Sequence, residues 1–350
     1  MAFAVAPSPA TEPRWLMPAA LLLIVCLSMM ALWSAPWIAP LSAQQKALLM
    51  ERAAEGGIVG YGLAGVHGFA WIGLVVLLRP MAMLALVVLI EAWLTRGRPR
   101  AGDWRLAWTA RAAFLVVTHL SDMLLGRFVQ MPVRPLFDFA GADPSTLVAA
   151  VQMTLLFLLS LFVADFFQYW AHRAYHRFPL LWRFHAVHHA PRDLDVLHKF
   201  EHPVEAVFSW FLIAAPANLL IAGTEAHQLS LVAAFFLVRD DIIHTRAPIN
   251  FGPFGRVLVD NRYHFIHHGR AARHYNCNFA GIFPIIDRLF GTQVKPEPGP
   301  LPATGLDDRR PPERLGQYFL ASLPRAEPGD APPAGEAAAA AAEPGPLARA

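Results

Sequence analysis

Three short segments of the sequence carry histidines at spacings of three or four residues. HRAYH contains His172 and His176, HAVHH contains His185, His188 and His189, and HFIHH contains His264, His267 and His268. Residues three or four positions apart lie on one face of an α-helix. We therefore expect three helical segments to direct eight imidazoles toward one another.

So many clustered imidazoles indicate metal binding. Neutral imidazole is a common protein ligand for zinc, copper, iron and nickel. Eight ligands exceed the four of a tetrahedral structural site, so two metal ions are expected. The two cysteines, Cys26 and Cys277, give neither a thiolate site nor a disulfide framework. An ordinary surface or core role is disfavoured, because buried histidines without partners are costly at a membrane face.

The composition is that of a membrane protein. The chain has 350 residues, of which 55% are hydrophobic and 16% charged, against about 25% charged in ordinary soluble domains. The formal net charge is only +3, and the arginines are scattered near the ends of apolar segments. We therefore expect no nucleic-acid partner.

Four regions contain apolar runs long enough to cross a bilayer core. Residues 15–40 are expected to form a retained anchor rather than a signal peptide, and residues 58–94 two helices that turn at Arg79-Pro80. Residues 107–129 are amphipathic and either span the membrane or lie on it. Residues 148–176 form a span that leads directly into His172, whereas the apolar stretches at 207–223 and 227–238 stay unassigned.

These features predict the organisation of the chain. We expect an N-terminal tail (1–14), transmembrane or amphipathic helices (15–147), a catalytic domain (148–295) and a disordered tail rich in Pro and Ala (296–350). The fold class is an all-α integral membrane protein, a transmembrane helical bundle with a cytosolic helical cap that holds a histidine-rich di-metal centre. Arginines near residues 96–111 and around the histidines place both regions in the cytoplasm, as expected of a multi-pass protein of a bacterial inner membrane.

Several segments between residues 164 and 292 resemble the fatty acid hydroxylase/sterol desaturase superfamily of integral-membrane, non-haem di-iron oxygenases. They are DFFQYWAHRAYH, PLLWRFHAVHH, HPVE, DIIHTR, HFIHH and the closing NFAGIFPIIDRLFGT. The closing pattern makes the resemblance specific, because metal binding alone does not require it. Acyl-CoA and acyl-lipid desaturases have similar histidine boxes but lack this ending, so they rank second.

The resemblance implies further site residues. His244 is a ninth expected metal ligand and His202 a possible additional one, and no catalytic residue is expected beyond the ligands. The carboxylates expected to orient imidazoles are Asp165, Glu205 and either Asp240 or Asp241. Asp287 and Arg288 are expected to clamp the C-terminal segment onto the cap. The chain departs from the family pattern at Thr245-Arg246 and at Asn261-Arg262, so the substrate side of the site is expected to be unusual.

The resemblance also implies the chemistry. Two Fe²⁺ ions and O2 would hydroxylate or desaturate a C–H bond of a lipid, which the residues leave open as a sterol, hopanoid, fatty acyl chain, carotenoid or ether lipid. The sequence shows no flavin or nicotinamide motif, since GLAG at 62–65 is not a phosphate loop. Electrons are therefore expected from a separate ferredoxin, cytochrome or reductase. The alternative is a membrane di-zinc hydrolase or a structural metal site, although no G-x-S-x-G elbow is present.

Overall fold

The computed structural model describes residues 51, 78–96, 102–129, 147–220, 226–247, 249–297 and 299–326. Within these ranges the chain is helical, and the extended pairings are two isolated bridges. The helical fold class is therefore confirmed for this part of the chain. The predicted anchor at 15–40, residues 58–77 of the second region and the end of the tail at 327–350 lie outside the described residues.

Ten α-helices carry the described architecture. They are α1 (Arg79–Leu94), α2 (Trp104–Val129), α3 (Leu147–Arg177), α4 (Pro179–His189), α5 (Pro203–Ser209), α6 (Ala215–Leu220), α7 (Ala226–Ile243), α8 (Asn261–His267), α9 (Ile285–Leu289) and α10 (Leu315–Phe319). A π-helical turn (Trp210–Ala214) joins α5 to α6, and short 3₁₀ turns occupy Gly252–Arg256 and Ala272–His274.

One helix in the described part of the chain, Thr154–Arg177 within α3, is long and apolar enough to cross a membrane. Leu155 and Leu158 on this helix are exposed, as expected of side chains that face lipid. The amphipathic region at 107–129 forms most of α2, and residues 78–94 of the second region form α1. A bundle of several spans stays a prediction.

The turn between α3 and α4 is encoded by a proline. Phe178 has extended backbone angles (φ −102°, ψ 122°), and Pro179 is the first residue of α4. A residue that precedes proline is pushed out of the helical region, whereas proline suits the first helical position. The chain therefore reverses at Phe178, and α4 packs against the end of α3. This turn brings the first two histidine segments together.

The main hydrophobic core joins helices that are distant in sequence. Leu84 of α1, Ala110 of α2, Val187 of α4 and Ile242 of α7 are all buried in it. Removing such side chains from water is the principal stabilising contribution to a helical packing of this kind. The core lies beside the histidine segments, since Val187 immediately precedes His188.

The expectation of disorder from residue 296 onward is wrong for residues 299–326. Tyr318 of α10 is buried in the main core, and its hydroxyl donates to the carbonyls of Ala110 (3.1 Å) and Glu201 (2.6 Å). The Thr304 hydroxyl contacts the carbonyls of Pro191 and Arg192, each at 3.0 Å. A proline-rich composition suggests disorder, but one buried aromatic side chain and its hydrogen bonds fix this segment.

Candidate metal centre

The nine histidines expected as ligands form two adjacent groups. The five-histidine group consists of His172, His176, His185, His189 and His267, and the four-histidine group of His188, His244, His264 and His268. In each group the nearest ring nitrogens all lie within 4.8 Å of one another. The groups adjoin, because the rings of His189 and His268 stack with centroids 4.3 Å apart.

Each H-x-x-H-H segment divides its histidines between the two groups. In α4, His185 and His189 belong to the five-histidine group and His188 to the four-histidine group. In the third segment the assignment is reversed, since only His267 joins the five-histidine group. Successive helical residues are 100° apart, so positions i and i+4 differ by about 40° and position i+3 lies on the other side of i. One short helix therefore supplies ligands to two neighbouring sites.

Local capping fixes the third segment. The carboxylate of Asp260 accepts from the backbone N–H of Tyr263 (3.0 Å) and caps α8. His268 is the last residue before the chain leaves the helix. An aspartate cap stabilises a short helix by about 1 kcal/mol, and this cap sets the rotation at which α8 presents its histidines.

The tautomers of His188 and His244 are fixed by backbone carbonyls. His188 Nδ1 donates to the carbonyl of Lys199 (2.5 Å), and His244 Nδ1 donates to that of Asp240 (2.6 Å). A neutral imidazole has one N–H, so the Nε2 atom of each ring carries a lone pair. These two Nε2 atoms lie 3.3 Å apart. Two lone pairs at this distance repel one another unless a cation lies between them.

The spacing of the nitrogens in the four-histidine group fits one metal ion. His264 Nε2 lies 2.9 Å from His244 Nε2 and 3.1 Å from His268 Nε2. Two nitrogens each about 2.1 Å from the same ion are about 3.0 to 3.4 Å apart at angles of 90° to 109°. The observed separations lie within about 0.1 Å of this range, so the residues fit a bound metal.

The five-histidine group shows the same features. His185 Nε2 lies 3.1 Å from His172 Nε2 and 3.2 Å from His189 Nε2. The Nε2 atoms of His176 and His267 are buried and have no hydrogen-bond partner among the described residues. His267 Nδ1 donates to the carbonyl of Cys277 (2.8 Å), which leaves its Nε2 without a proton. Buried acceptors without donors are costly, and a metal ion would satisfy them.

Burial keeps these imidazoles neutral. It lowers the pKa of His188 to about 4, against the opposing negative charge of Asp240. Burial likewise lowers the pKa values of His185 and His264 well below the ordinary value, and neighbouring histidines lower them further. The neutral ring is the metal-binding form. The groups are therefore in the protonation state that ligation requires.

His202 lies outside both groups. Its Nδ1 accepts from the backbone N–H of Val204 (3.1 Å) and caps α5, while its Nε2 contacts the carbonyl of Phe319 (3.2 Å). Both ring nitrogens are thus engaged in holding helices. The structure gives His202 a capping position rather than a place among the converging nitrogens.

Of the carboxylates expected to orient imidazoles, Glu205 does so directly. Its Oε2 lies 2.8 Å from His185 Nδ1, and burial raises the pKa of this carboxyl to about 8, opposed by a hydrogen bond from His202. Asp240 orients His244 through its backbone carbonyl, while its carboxylate pairs with Lys199. An imidazole in these positions keeps its tautomer and its orientation.

Asp165 has a different role from the one expected. Its carboxylate accepts from the backbone N–H groups of Gly281 (2.8 Å), Ile282 (3.0 Å) and Phe283 (2.7 Å) and not from an imidazole. It therefore acts one step further away, because it holds the segment whose Phe279 carbonyl lies 2.9 Å from His172 Nδ1. The seven-residue spacing correctly predicts that Asp165 and His172 lie on one helix. It does not predict their hydrogen-bond partners, which are backbone groups.

The expected clamp is confirmed for Asp287. Its carboxylate accepts from the N–H groups of Phe279 and Ala280, each at 2.8 Å, and from the hydroxyls of Thr292 (2.7 Å) and Tyr263 (3.0 Å). The clamp joins the closing segment to α8. Arg288 instead lies on the surface and donates to the carbonyl of Arg256.

Sequence reasoning missed a buried ionic network behind the four-histidine group. Lys199 pairs with Asp240 and with Asp241 (2.8 Å), and Arg111 pairs with Glu201 and with Asp241 (3.2 Å). Buried charges require such pairing. The network holds the two backbone segments whose carbonyls accept from His188 and His244. The only available signal was the run of charges in HKFEH, which does not reveal a distant partner.

Comparison with known proteins agrees with this geometry. Residues 157–292 match the family model described as fatty acid hydroxylase. The chain is 26% identical over 224 residues to alkylglycerol monooxygenase of Homo sapiens, which covers 60% of this chain and 45% of the relative. It is 31% identical over 146 residues to ornithine lipid hydroxylase OlsE of Rhizobium tropici, which covers 41% and 43% respectively.

A third relative acts on another class of lipid. The very-long-chain aldehyde decarbonylase GL1-9 of Oryza sativa subsp. indica is 25% identical over 180 residues, which covers 49% of this chain and 68% of the relative. The chain thus spans less than half the length of the first two relatives. No solved structure matches the chain.

Proposed function

We propose that the chain belongs to the fatty acid hydroxylase family, whose model matches residues 157–292, and that it is a membrane-bound di-iron oxygenase that hydroxylates a lipid. The nine clustered histidines are its proposed metal ligands, five for one iron and four for the other. Oxygen is the co-substrate.

The observation that carries the proposal is the convergence of unprotonated imidazole nitrogens. His188 and His244 each donate their Nδ1–H to a backbone carbonyl, so their Nε2 atoms carry no proton. These two Nε2 atoms face each other at 3.3 Å. Imidazole suits both iron and zinc. Family membership favours iron, because the relatives named as a monooxygenase and a hydroxylase carry out oxidations.

When bound, the iron ions would supply the activation of O2 that attack on an unactivated C–H bond requires. The reaction balances as one lipid C–H, one O2, two electrons and two protons giving a C–OH and one water. The chain's own contribution is to hold the rings in fixed orientations through Lys199, Asp240 and Phe279 carbonyls and the Glu205 carboxylate. Its burial of the rings also excludes bulk water.

The proposed substrate is a lipid with a long alkyl or acyl chain. The relatives are named for alkylglycerol and ornithine lipid, and both names describe oxygen insertion. These names favour hydroxylation over desaturation and a chain lipid over a sterol or hopanoid. The exposed apolar side chains of α3 offer such a lipid a route from the bilayer toward the centre.

The two electrons require a partner. We assign this role to a cytosolic ferredoxin, cytochrome or reductase, because the arginine-rich segments favour a centre on the cytoplasmic face of a bacterial inner membrane. A multi-pass arrangement is part of the same proposal, with α3 as one span.

Anaerobic purification followed by metal analysis tests the function. Iron-dependent oxygen consumption in the presence of lipid and a chemical reductant, with a hydroxylated product identified by mass spectrometry, is the expected result. A di-zinc hydrolase is the alternative, and it would retain zinc and release lipid fragments without consuming oxygen.

A further inference from the structure

Arg239 of α7 is partly buried, and two nitrogens of its guanidinium have no hydrogen-bond partner among the described residues. Its Nε and Nη2 atoms are buried, and neither contacts an acceptor among the described residues. A donor buried without an acceptor is destabilising, and more so when the group is charged. Protein interiors rarely retain such a group without a reason.

The surroundings hold the guanidinium in a defined place. A Cβ atom added at Gly281 would lie 2.7 Å from both Nη1 and Nη2 of Arg239. The guanidinium therefore lies directly against Gly281, in space that only glycine leaves open. Asp165 holds this glycine through its backbone N–H (2.8 Å). Backbone contacts at Gly281 therefore fix the place of the Arg239 guanidinium.

Two nearby carboxylates attract the charge of Arg239 without accepting its hydrogen bonds. Burial lowers the pKa of Arg239, and the charges of Asp165 and Asp240 oppose this effect. Asp165, however, accepts from three backbone N–H groups, and the carboxylate of Asp240 pairs with Lys199. Because two carboxylates already lie near the guanidinium, an uncharged oxygen acceptor suits its two unpartnered nitrogens better than a further anion does.

Arg239 lies between the apolar part of the helices and the histidines. Phe157 of α3 and Phe235 of α7 make an edge-to-face contact with centroids 6.2 Å apart. Along α7, Arg239 follows Phe235 by about 6 Å and precedes His244 by about 7.5 Å, at 1.5 Å per residue. Along the axis of α7, Arg239 therefore lies between the apolar Phe235 and the metal-site residue His244.

We propose that Arg239 binds an uncharged oxygen of the lipid substrate, such as an ether or carbonyl oxygen, close to the carbon that is oxidised. This inference rests on the proposed function and adds a specificity residue to it. The hydrogen bond would select lipids with an oxygen at one distance from the reacting carbon. It would also fix which carbon of the chain lies at the centre.

Binding of two matched lipids tests this role. Hexadecylglycerol is compared with its analogue in which a methylene replaces the ether oxygen, both under anaerobic conditions with metal-loaded, detergent-solubilised protein. A hydrogen bond from a charged donor is stronger than one between neutral groups, so the wild type should bind the ether at least about tenfold more tightly. Arg239→Met should bind both lipids equally and keep its metal content.

Two further variants make the result specific. Gly281→Ala retains the arginine but displaces its guanidinium, so it should also lose the preference. Arg256→Met, at an exposed position on the cap, should bind as the wild type does and serves as the control. If Arg239→Met fails to fold, Gly281→Ala decides the question.

Two outcomes would overturn the role of Arg239, namely equal binding of both lipids by the wild type or a preserved ether preference in the variants. Either would leave the proposed function intact if iron-dependent oxygen consumption persisted. If the wild type showed no iron-dependent oxygen consumption, the proposed function itself would be contradicted.

Discussion

His188 Nε2 and His244 Nε2 face each other at 3.3 Å, while the opposite nitrogen of each ring donates to a backbone carbonyl. The two rings come from helices far apart in sequence, α4 and α7. Their carbonyl partners, at Lys199 and Asp240, are joined by a salt bridge between the side chains of the same two residues. One ionic contact therefore links the two residues whose backbone carbonyls orient these imidazoles.

Removing one ligand should empty one site and spare the other. His188→Ala should lose the metal of the four-histidine group, and His172→Ala that of the five-histidine group, each retaining about one metal per chain and no oxygenase activity. Metal analysis of the purified variants measures this. His202→Gln serves as the control, because a capping residue should leave both metals in place. Full metal retention by His188→Ala would contradict the assignment.

Asp165→Asn should loosen the segment that holds His172. The amide presents one acceptor oxygen where the carboxylate serves three backbone N–H groups, so the loss should be about 3 kcal/mol. A fall in melting temperature measures it. Asp308→Asn is the matched control, since the side chain of Asp308 is 77% exposed. Equal melting temperatures for the two variants would show that the segment is held by other contacts.

Truncation after Arg310 should destabilise the protein, because it removes Tyr318 from the main core. Tyr318→Phe should have a smaller effect of about 1 to 2 kcal/mol, from its two lost hydrogen bonds. Thermal unfolding in detergent compares them with truncation after Ala326, which retains the packed segment. Unchanged stability on truncation after Arg310 would show that this segment contributes nothing to the fold.

The histidine-bearing face should be cytoplasmic. A reporter that functions only in the cytosol should be active when fused after Ala326, and one that functions only in the periplasm should be silent. Fusion beyond the packed C-terminal segment avoids disturbing the core. The reverse pattern would contradict both the orientation and the proposed supply of electrons, while leaving the metal ligands unaffected.

The sequence predicts the members of the two groups because their spacing is local. Positions i, i+3 and i+4 necessarily project from a short region of a helix, and the eight histidines of the three segments accordingly lie together, whereas His244 was expected only from the family resemblance. The division of each H-x-x-H-H segment between two groups is not local. It depends on how α4 and α8 are rotated, which Pro179 and the Asp260 cap determine.

Backbone partners explain most of what the sequence does not reveal. The acceptors for His172, His188 and His267 are carbonyls, at Phe279, Lys199 and Cys277, and every residue has a carbonyl whatever its side chain. A carboxylate in the sequence suggests a partner for an imidazole, but Asp165 accepts from the backbone of residues 281–283 and contacts no imidazole. The proline-rich composition of the C-terminal segment predicts disorder. It does not reveal that a single side chain, Tyr318, is buried in the main core.

Iron content tests the central claim most directly. The full-length protein, purified anaerobically, should contain close to two irons per chain, with little zinc. Iron at this stoichiometry should disappear in a variant that combines His172→Ala with His188→Ala, which removes one ligand from each group. Two zinc ions per chain in place of iron, or an unchanged iron content in the double variant, would contradict the assignment of these nine histidines to a di-iron centre.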